Sequence, residues 1–264
     1  MREQWLEDLP IARVERLEPI HSGISNQVYK LTAAGRSYVL KHQRFSQNYD
    51  LNRAQEIRLQ RQLADYGLAP EILYYDELRG LVLQPFIELP QLAHTELSHI
   101  DKIGISAKVS ARIHDLKITL PDWSLEQRID LYLRQIKVLD AMAANYYQKR
   151  LAPYRRLLQQ PSEAAAFCHN DLAFNHIFVD ANATSIQVID WEYAGVGDRY
   201  FDFANTILLN QFTAAESDHF CRSYQAHSGI RIDRERLNPM LELTDLVHQL
   251  WFTLHHQLQD SMND

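Results

Sequence analysis

Cysteine is nearly missing from this chain, with two residues, Cys168 and Cys221, in 264. Two thiols so far apart form no disulfide framework, and their spacing matches no zinc-binding pattern. A basic excess is also lacking. Lys and Arg number 27 against 34 Asp and Glu, a formal net charge of −7. Such a balance speaks against non-specific nucleic-acid binding, which needs basic patches to displace counterions. It favours a small cationic partner instead. Nowhere do about 18 uncharged apolar residues run together, so no membrane span is expected. The opening stretch MREQWLEDLP holds no apolar segment of the signal-peptide kind. The expectation is a reduced, cytoplasmic protein. Repeats, low-complexity tracts and Gly/Ser linkers are absent too.

What the chain does have is ordinary for a globular protein, 46% hydrophobic and 23% charged residues. Its length suffices for one large domain or two modest lobes. The first ninety residues read as strands with one helix. IARVERLEPI and SNQVYKLTAAGRSYVLKHQ alternate apolar and polar side chains around an AAG turn, which predicts a hairpin. A helical pattern runs from Asp50, an N-cap, to Tyr66, with Gly67 as its stop. EILYYDELRGLVLQPFIEL predicts two more strands around DELRG. Helices are then expected at 101–116, 124–147, 213–227 and 235–259, the last with a stripe of Met240, Leu243, Val247, Trp251, Leu254 and Leu258. Between them, 167–193 reads as β.

The chemistry concentrates in FCHNDLAFNHIFVD, residues 167–180. Asp171 precedes the short strand IFV, DANAT makes a turn, and SIQVID ends at Asp190. A hairpin of this length brings both carboxylates to one end, with Glu192 two residues on. Clustered carboxylates repel unless a cation, a proton or donors lie between them, and an oxygen-rich set suits Mg²⁺ with substrate phosphates. Lys41 ends the strand RSYVLK. Glu56 shares the inward helical stripe of Leu59 and Leu63 and needs a positive partner; Lys41 is the expected one. A lysine so held presents a fixed ammonium to nucleotide phosphates. Ser22, Gly23, Ser25 and Asn26 form a turn whose N–H groups suit phosphates, a weak signal with one glycine.

In order, GISNQVYKL, YVLK, QEIRLQRQLADYGLAPEILYYD, LVLQPFIE, SARIHDL, HNDL, VIDWEYAG and FDFAN resemble the aminoglycoside phosphotransferase and choline kinase superfamily over nearly the whole chain. The closing motifs resemble its choline, ethanolamine and thiamine kinase branch. The resemblance implies an α+β, bilobal, protein-kinase-like fold. It has a small β-rich nucleotide-binding lobe over 1–88, a hinge near 84–90, and a larger α-rich catalytic lobe over 89–264. It further implies an ATP- and Mg²⁺-dependent enzyme that phosphorylates a hydroxyl of a small cationic metabolite, choline or thiamine first. Asp171 becomes the base, Asp190 a metal ligand, and Lys41, paired with Glu56, a phosphate contact. Ser25 and Asn26 lie over the phosphates. Gln84 and Phe86, with their neighbours, offer backbone groups to adenine. Asp202 braces the catalytic loop.

One position departs from the family pattern. The metal-binding Asn that follows the Asp by five residues is here His176, with an asparagine one place early at Asn175. Either residue is a candidate ligand. Loss of the metal position would instead leave a weakly active nucleotide-binding pseudokinase. For the cationic end of the substrate the candidates are Trp191, Glu192, Tyr193 and Trp251, with Tyr200 and Trp123 behind them, since aromatic faces and carboxylates hold cations. A rival reading joins His169, Asp171, His176 and Asp190 around a transition metal in a phosphohydrolase, but leaves Lys41, Glu56 and the β-rich first lobe unexplained.

Overall fold

The computed structural model describes residues 4–22, 26–43, 48, 49, 51–120, 124–159 and 165–263. Ser25, Gly23, Asp50 and Trp123 therefore lie outside the described residues. Strands β1 (Val14–Ser22), β2 (Asn26–Ala33) and β3 (Arg36–Gln43) precede helix α1 (Arg53–Asp65) and strands β4 (Tyr74–Asp76) and β5 (Leu81–Pro85). Helices α2 (His99–Asp115), α3 (Leu125–Leu139), α4 (Ala141–Leu151) and α5 (Arg155–Gln159) follow. Four short strands come next, β6 (Ala165–Cys168), β7 (Ile177–Val179), β8 (Ile186–Val188) and β9 (Gly195–Asp198). Helices α6 (Arg199–Leu209), α7 (Ala214–Ser228) and α8 (Arg234–Asn263) end the chain. The architecture is α+β. The elements gather into two compact units, residues 1–96 with 175–192, and residues 97–174 with 193–264.

The first unit is built on an antiparallel sheet in the order β1-β2-β3-β5-β4. Ala33 pairs with Arg36, so Ala34 and Gly35 alone make the expected turn. Both have positive φ, 48° and 70°, the backbone whose twist matches a two-residue hairpin. Alternation buries Leu31, Leu40 and Leu83 against Leu6, Leu9 and Val14. Helix α1 starts at the Asn52 cap, whose side chain accepts the Gln55 N–H, and stops at Gly67, φ 64°. Its buried face carries Ile57, Leu59 and Leu63, together with Arg53, Glu56 and Gln60. The β7–β8 ribbon is anchored at both strands: the Val188 N–H donates to the Leu68 carbonyl at 2.7 Å, and the Val179 N–H to the Pro90 carbonyl at 3.0 Å.

In the second unit, β6 pairs antiparallel with β9 among the longer helices. The region 124–147, expected as one helix, is two. At Asp140 the backbone turns to φ −150°, ψ 98°, and the carboxylate accepts the N–H groups of Met142 and Ala143. An aspartate that caps a new helix start outweighs continued helical periodicity. Asp140→Ala is expected to cost about 1 kcal/mol of stability, and Asp140→Asn little, read from urea unfolding midpoints. Helix α6 was not among the expected helices; residues Tyr200 to Ile207 are all buried, including the polar stripe of Asp202, Asn205 and Thr206. The stretch 167–193, expected as β throughout, alternates short strands with 3₁₀ turns at Phe174–His176 and Trp191–Tyr193. No helix among the described residues is long and apolar enough to cross a membrane.

Candidate active site

Lys41 lies on β3 between two partner strands, opposite Val28 on β2 and Val82 on β5, with its side chain 9% exposed. Its ammonium is 3.5 Å from Asp190 Oδ1. The other oxygen, Oδ2, is 3.6 Å from His176 Nε2. The ribbon explains this meeting. Ile177 pairs with Val188, and the Ile189 N–H donates to the His176 carbonyl at 3.0 Å, so closing the ribbon sets His176 beside Asp190. Asp190 has φ 70°, a left-handed backbone that L residues avoid and that Asp tolerates better than most. Held strain at a chemistry-bearing residue is a pointer to function. Of the two candidates for the departed asparagine, His176 faces the carboxylate. Asn175 is exposed, and its carbonyl accepts from Gln91 Nε2 at 2.8 Å.

The expected Lys41–Glu56 pair is replaced by a different one. Arg53, one turn earlier on α1, reaches Glu56 Oε2 and Glu192 Oε2 with the same nitrogen, both at 2.8 Å. Gln43 Nε2 donates to Glu56 at 3.4 Å, and Asn26 Nδ2 to Glu192 at 3.2 Å. All three charged side chains are less than one-tenth exposed. A carboxylate on a buried helical stripe takes the nearest long cation, and Arg53 lies at i−3 on that stripe. Burial, followed by the charge of Asp190, pushes the Glu192 carboxyl above its ordinary value against the pull of Arg53. Burial also opposes the Arg53 charge, yet Glu56 and Glu192 together raise its pKa. Counting Lys41 and Arg53 against Asp190, Glu56 and Glu192 leaves one negative charge in excess. A half-buried carboxylate with an imidazole nitrogen beside it, in a net-negative setting, is a donor set that fits a divalent cation.

In the second unit, Asp171 is half-buried on a loop tied at several points. Its N–H donates to His169 Nδ1 at 3.2 Å. The preceding Asn170 has φ 63°; its N–H donates to Asp202 Oδ1 at 2.5 Å and its side-chain amide to the Tyr193 carbonyl at 2.9 Å. Asp202 is fully buried, with His114 Nε2 at 2.8 Å, and His114 Nδ1 is 3.0 Å from the Tyr224 hydroxyl. Burial alone would push the Asp202 carboxyl up. The hydrogen bond and positive potential of His114, with His169 and the Asn170 N–H, outweigh it and hold the pKa below its ordinary value. Asn210 completes the frame, its amide accepting the Phe174 N–H at 2.8 Å and donating to the Leu172 carbonyl at 3.1 Å. Asp202 thus braces the loop as expected. His114 was present in the SARIHDL motif without a role, and nothing in spacing marks Asn210.

Packing corrects two of the expected substrate contacts, Trp191 and Glu192, and gives the surroundings of the other substrate and hinge candidates. Trp191 is 1% exposed, and its indole N–H donates to the Val188 carbonyl at 2.9 Å; it is core and offers no face to a cation. Glu192 turns to Arg53 and Asn26, and Asn26 with it. Tyr193 is half-buried, with the Arg128 guanidinium over its ring, 5.5 Å from the centroid. Trp251 is half-buried and stacked on His255 at 5.4 Å. Gln84 is 2% exposed and its side chain accepts from Gln60 at 2.9 Å. The Phe86 N–H donates to the Ser37 carbonyl at 3.1 Å, so it is engaged within the sheet, and Lys30 sits 4.2 Å over the Phe86 ring.

A family model described as a phosphotransferase enzyme family matches residues 16–240. Ethanolamine kinase 2 of Rattus norvegicus is 28% identical over 189 residues, 65% of this chain and 46% of that protein. Probable choline kinase 1 of Arabidopsis thaliana is 24% identical over 209 residues, 73% of this chain and 60% of that protein. The chain spans about half the length of these curated relatives. Among solved structures, choline kinase LicA from Streptococcus pneumoniae superposes with a TM-score of 0.77 at 20% identity, covering 93% of this chain and 87% of that one. An aminoglycoside-3′-phosphotransferase of type VIII gives 0.67 at 19% identity, covering 92% and 99%. These likenesses are in fold, the α+β protein-kinase-like fold that the motif order implied.

Proposed function

The chain belongs to the phosphotransferase enzyme family, and from that premise we propose that it transfers the terminal phosphoryl group of ATP to the hydroxyl of a small cationic alcohol. Choline, ethanolamine and thiamine are the first candidates. The observation that carries the proposal is the single carboxylate of Asp190 bracketed by Lys41 and His176. Phosphoryl transfer asks a protein for positioning and charge neutralisation more than for covalent chemistry. In this reading residues 1–88 form the nucleotide lobe, with the hinge at 84–90, and 89–264 the catalytic and substrate lobe. Lys41 meets the phosphates. Gln84 and Phe86 face adenine through backbone groups other than the engaged Phe86 N–H. Asp171 accepts the proton of the attacking hydroxyl, held in place by Asp202 and Asn210 as positioning residues. Asp190 with His176 would hold Mg²⁺, which when bound neutralises charge on the phosphate oxygens. Tyr193 and Trp251 are the aromatic faces left for the substrate cation, and the acidic balance of −7 draws it in.

The test is ADP release from ATP and Mg²⁺ across choline, ethanolamine, thiamine and a panel of aminoglycosides. Release with one of the first three and none with the aminoglycosides is the expected result. One observation favours a second reading. Glu56 is held by Arg53 and not by Lys41, an arrangement compatible with a nucleotide-binding module that turns over poorly. ATP-dependent thermal stabilisation with no ADP release for any acceptor would establish that reading instead. Phosphatase activity without ATP, from a tightly bound transition metal, would establish the phosphohydrolase.

A further inference from the structure

Most clusters outside the site close on themselves. His114 has Asp202 and Tyr224 at its two nitrogens, and both cysteines are buried, with burial raising their thiol pKa values. The apolar side chains exposed at the α3–α4 corner, Val138 and Met142, come with nothing that identifies an occupant. The Asp190–His176 pair is different, because its atoms have a chemical preference.

We infer that the pair formed by His176 Nε2 and Asp190 Oδ2 is a mixed nitrogen–oxygen metal site that ranks first-row divalent ions such as Mn²⁺ and Co²⁺ ahead of Mg²⁺. This deepens the phosphotransferase reading and rests on it. The two atoms are 3.6 Å apart, a spacing that one ion with ligand bonds of about 2.0–2.2 Å spans. Lys41 on Oδ1 leaves Oδ2 as the oxygen turned to the imidazole, so the carboxylate is oriented before any ion arrives. Ile189, bonded to the His176 carbonyl, fixes the second ligand's backbone against the first. Mg²⁺ favours an all-oxygen octahedral shell and gives up its waters reluctantly, whereas first-row ions bind nitrogen-containing sites with an affinity that rises from Mn²⁺ to Co²⁺. A nitrogen in the shell therefore acts as a selector against Mg²⁺.

Mn²⁺ serves as the probe, alone and together with ADP, with pulsed electron paramagnetic resonance on the full chain. Bound Mn²⁺ should show coupling to a nitrogen nucleus, and the pattern should change when the protein alone is labelled with ¹⁵N, which excludes adenine as its source. In competition, Mn²⁺ should outrank Mg²⁺ by at least about tenfold, or ~1.4 kcal/mol. His176→Asn and His176→Gln should each lose the coupling and shrink that preference towards one. Bound Mn²⁺ without protein nitrogen coupling, no bound Mn²⁺ in either arm, or a preference unchanged in both variants would overturn the inference. Nitrogen coupling in a protein that releases no ADP with any acceptor would retain the metal site while removing the phosphotransferase reading. Substrate-dependent ADP release without coupling would do the reverse.

Discussion

Asp171→Asn is expected to lower ADP release by about 10²–10⁴-fold, the usual worth of a positioned general base. ATP affinity, measured by calorimetry, should stay unchanged. Asparagine keeps the shape of the side chain and removes only its ability to accept a proton. The loop should survive the change, because four of its ties are made by groups other than the Asp171 carboxylate. They run from the Asp171 N–H to His169, from the Asn170 N–H to Asp202, and from Phe174 and Leu172 to Asn210. An unchanged melting temperature would accompany the lost turnover. Normal turnover in Asp171→Asn would remove the residue from the base role and with it the reaction proposed above.

The elements most legible from sequence are those in which one face meets solvent. Alternation in β2 and β3 around the Ala34-Gly35 turn, and the stripe of Leu59 and Leu63 on α1, predict what is observed. Helix α6 is different: its polar stripe, Asp202, Asn205 and Thr206, meets partners within the protein such as His114 and His248 and not solvent. The break at Asp140 carried its own signal, a good N-cap residue before Ala-Met-Ala-Ala, but strong helical pattern on both sides masked it. In the site, Lys41, His176 and Asp190 were legible as chemistry-bearing residues, and the structure separates His176 from Asn175. The partner of Glu56 is Arg53 and not the expected Lys41, because a long cation at i−3 on the same helical stripe lies within reach without leaving the helix. Trp191, next to Asp190 in sequence, packs into the core instead, with its indole N–H on the Val188 carbonyl.

Arg53→Met is expected to destabilise the protein by about 3–5 kcal/mol, the usual consequence of deleting one member of a buried ionic cluster. Two carboxylates, Glu56 and Glu192, would lose the guanidinium they share in a setting less than one-tenth exposed. The loss arises from the stranded charges more than from the missing guanidinium, so removing those charges should restore most of it. The triple variant Arg53→Met, Glu56→Gln, Glu192→Gln should therefore unfold at a denaturant concentration close to that of the unaltered chain. Equilibrium unfolding of the single, double and triple variants gives the coupling directly. If Arg53→Met unfolds at the unaltered midpoint, the cluster contributes no net stability and the helix α1 face is held by its leucines.

The first unit is discontinuous in the chain, residues 1–96 together with 175–192, and this bears on how the protein can be divided. A gene fragment stopping after Glu96 would encode the five-stranded sheet but not the ribbon that carries Asp190 and Glu192. The Leu68 and Pro90 carbonyls would lose their Val188 and Val179 donors, and Arg53 would lose the Glu192 carboxylate. An expressible half has to be spliced, with 175–192 grafted by a linker onto the leading segment, because the natural cut runs through space and not along the polypeptide.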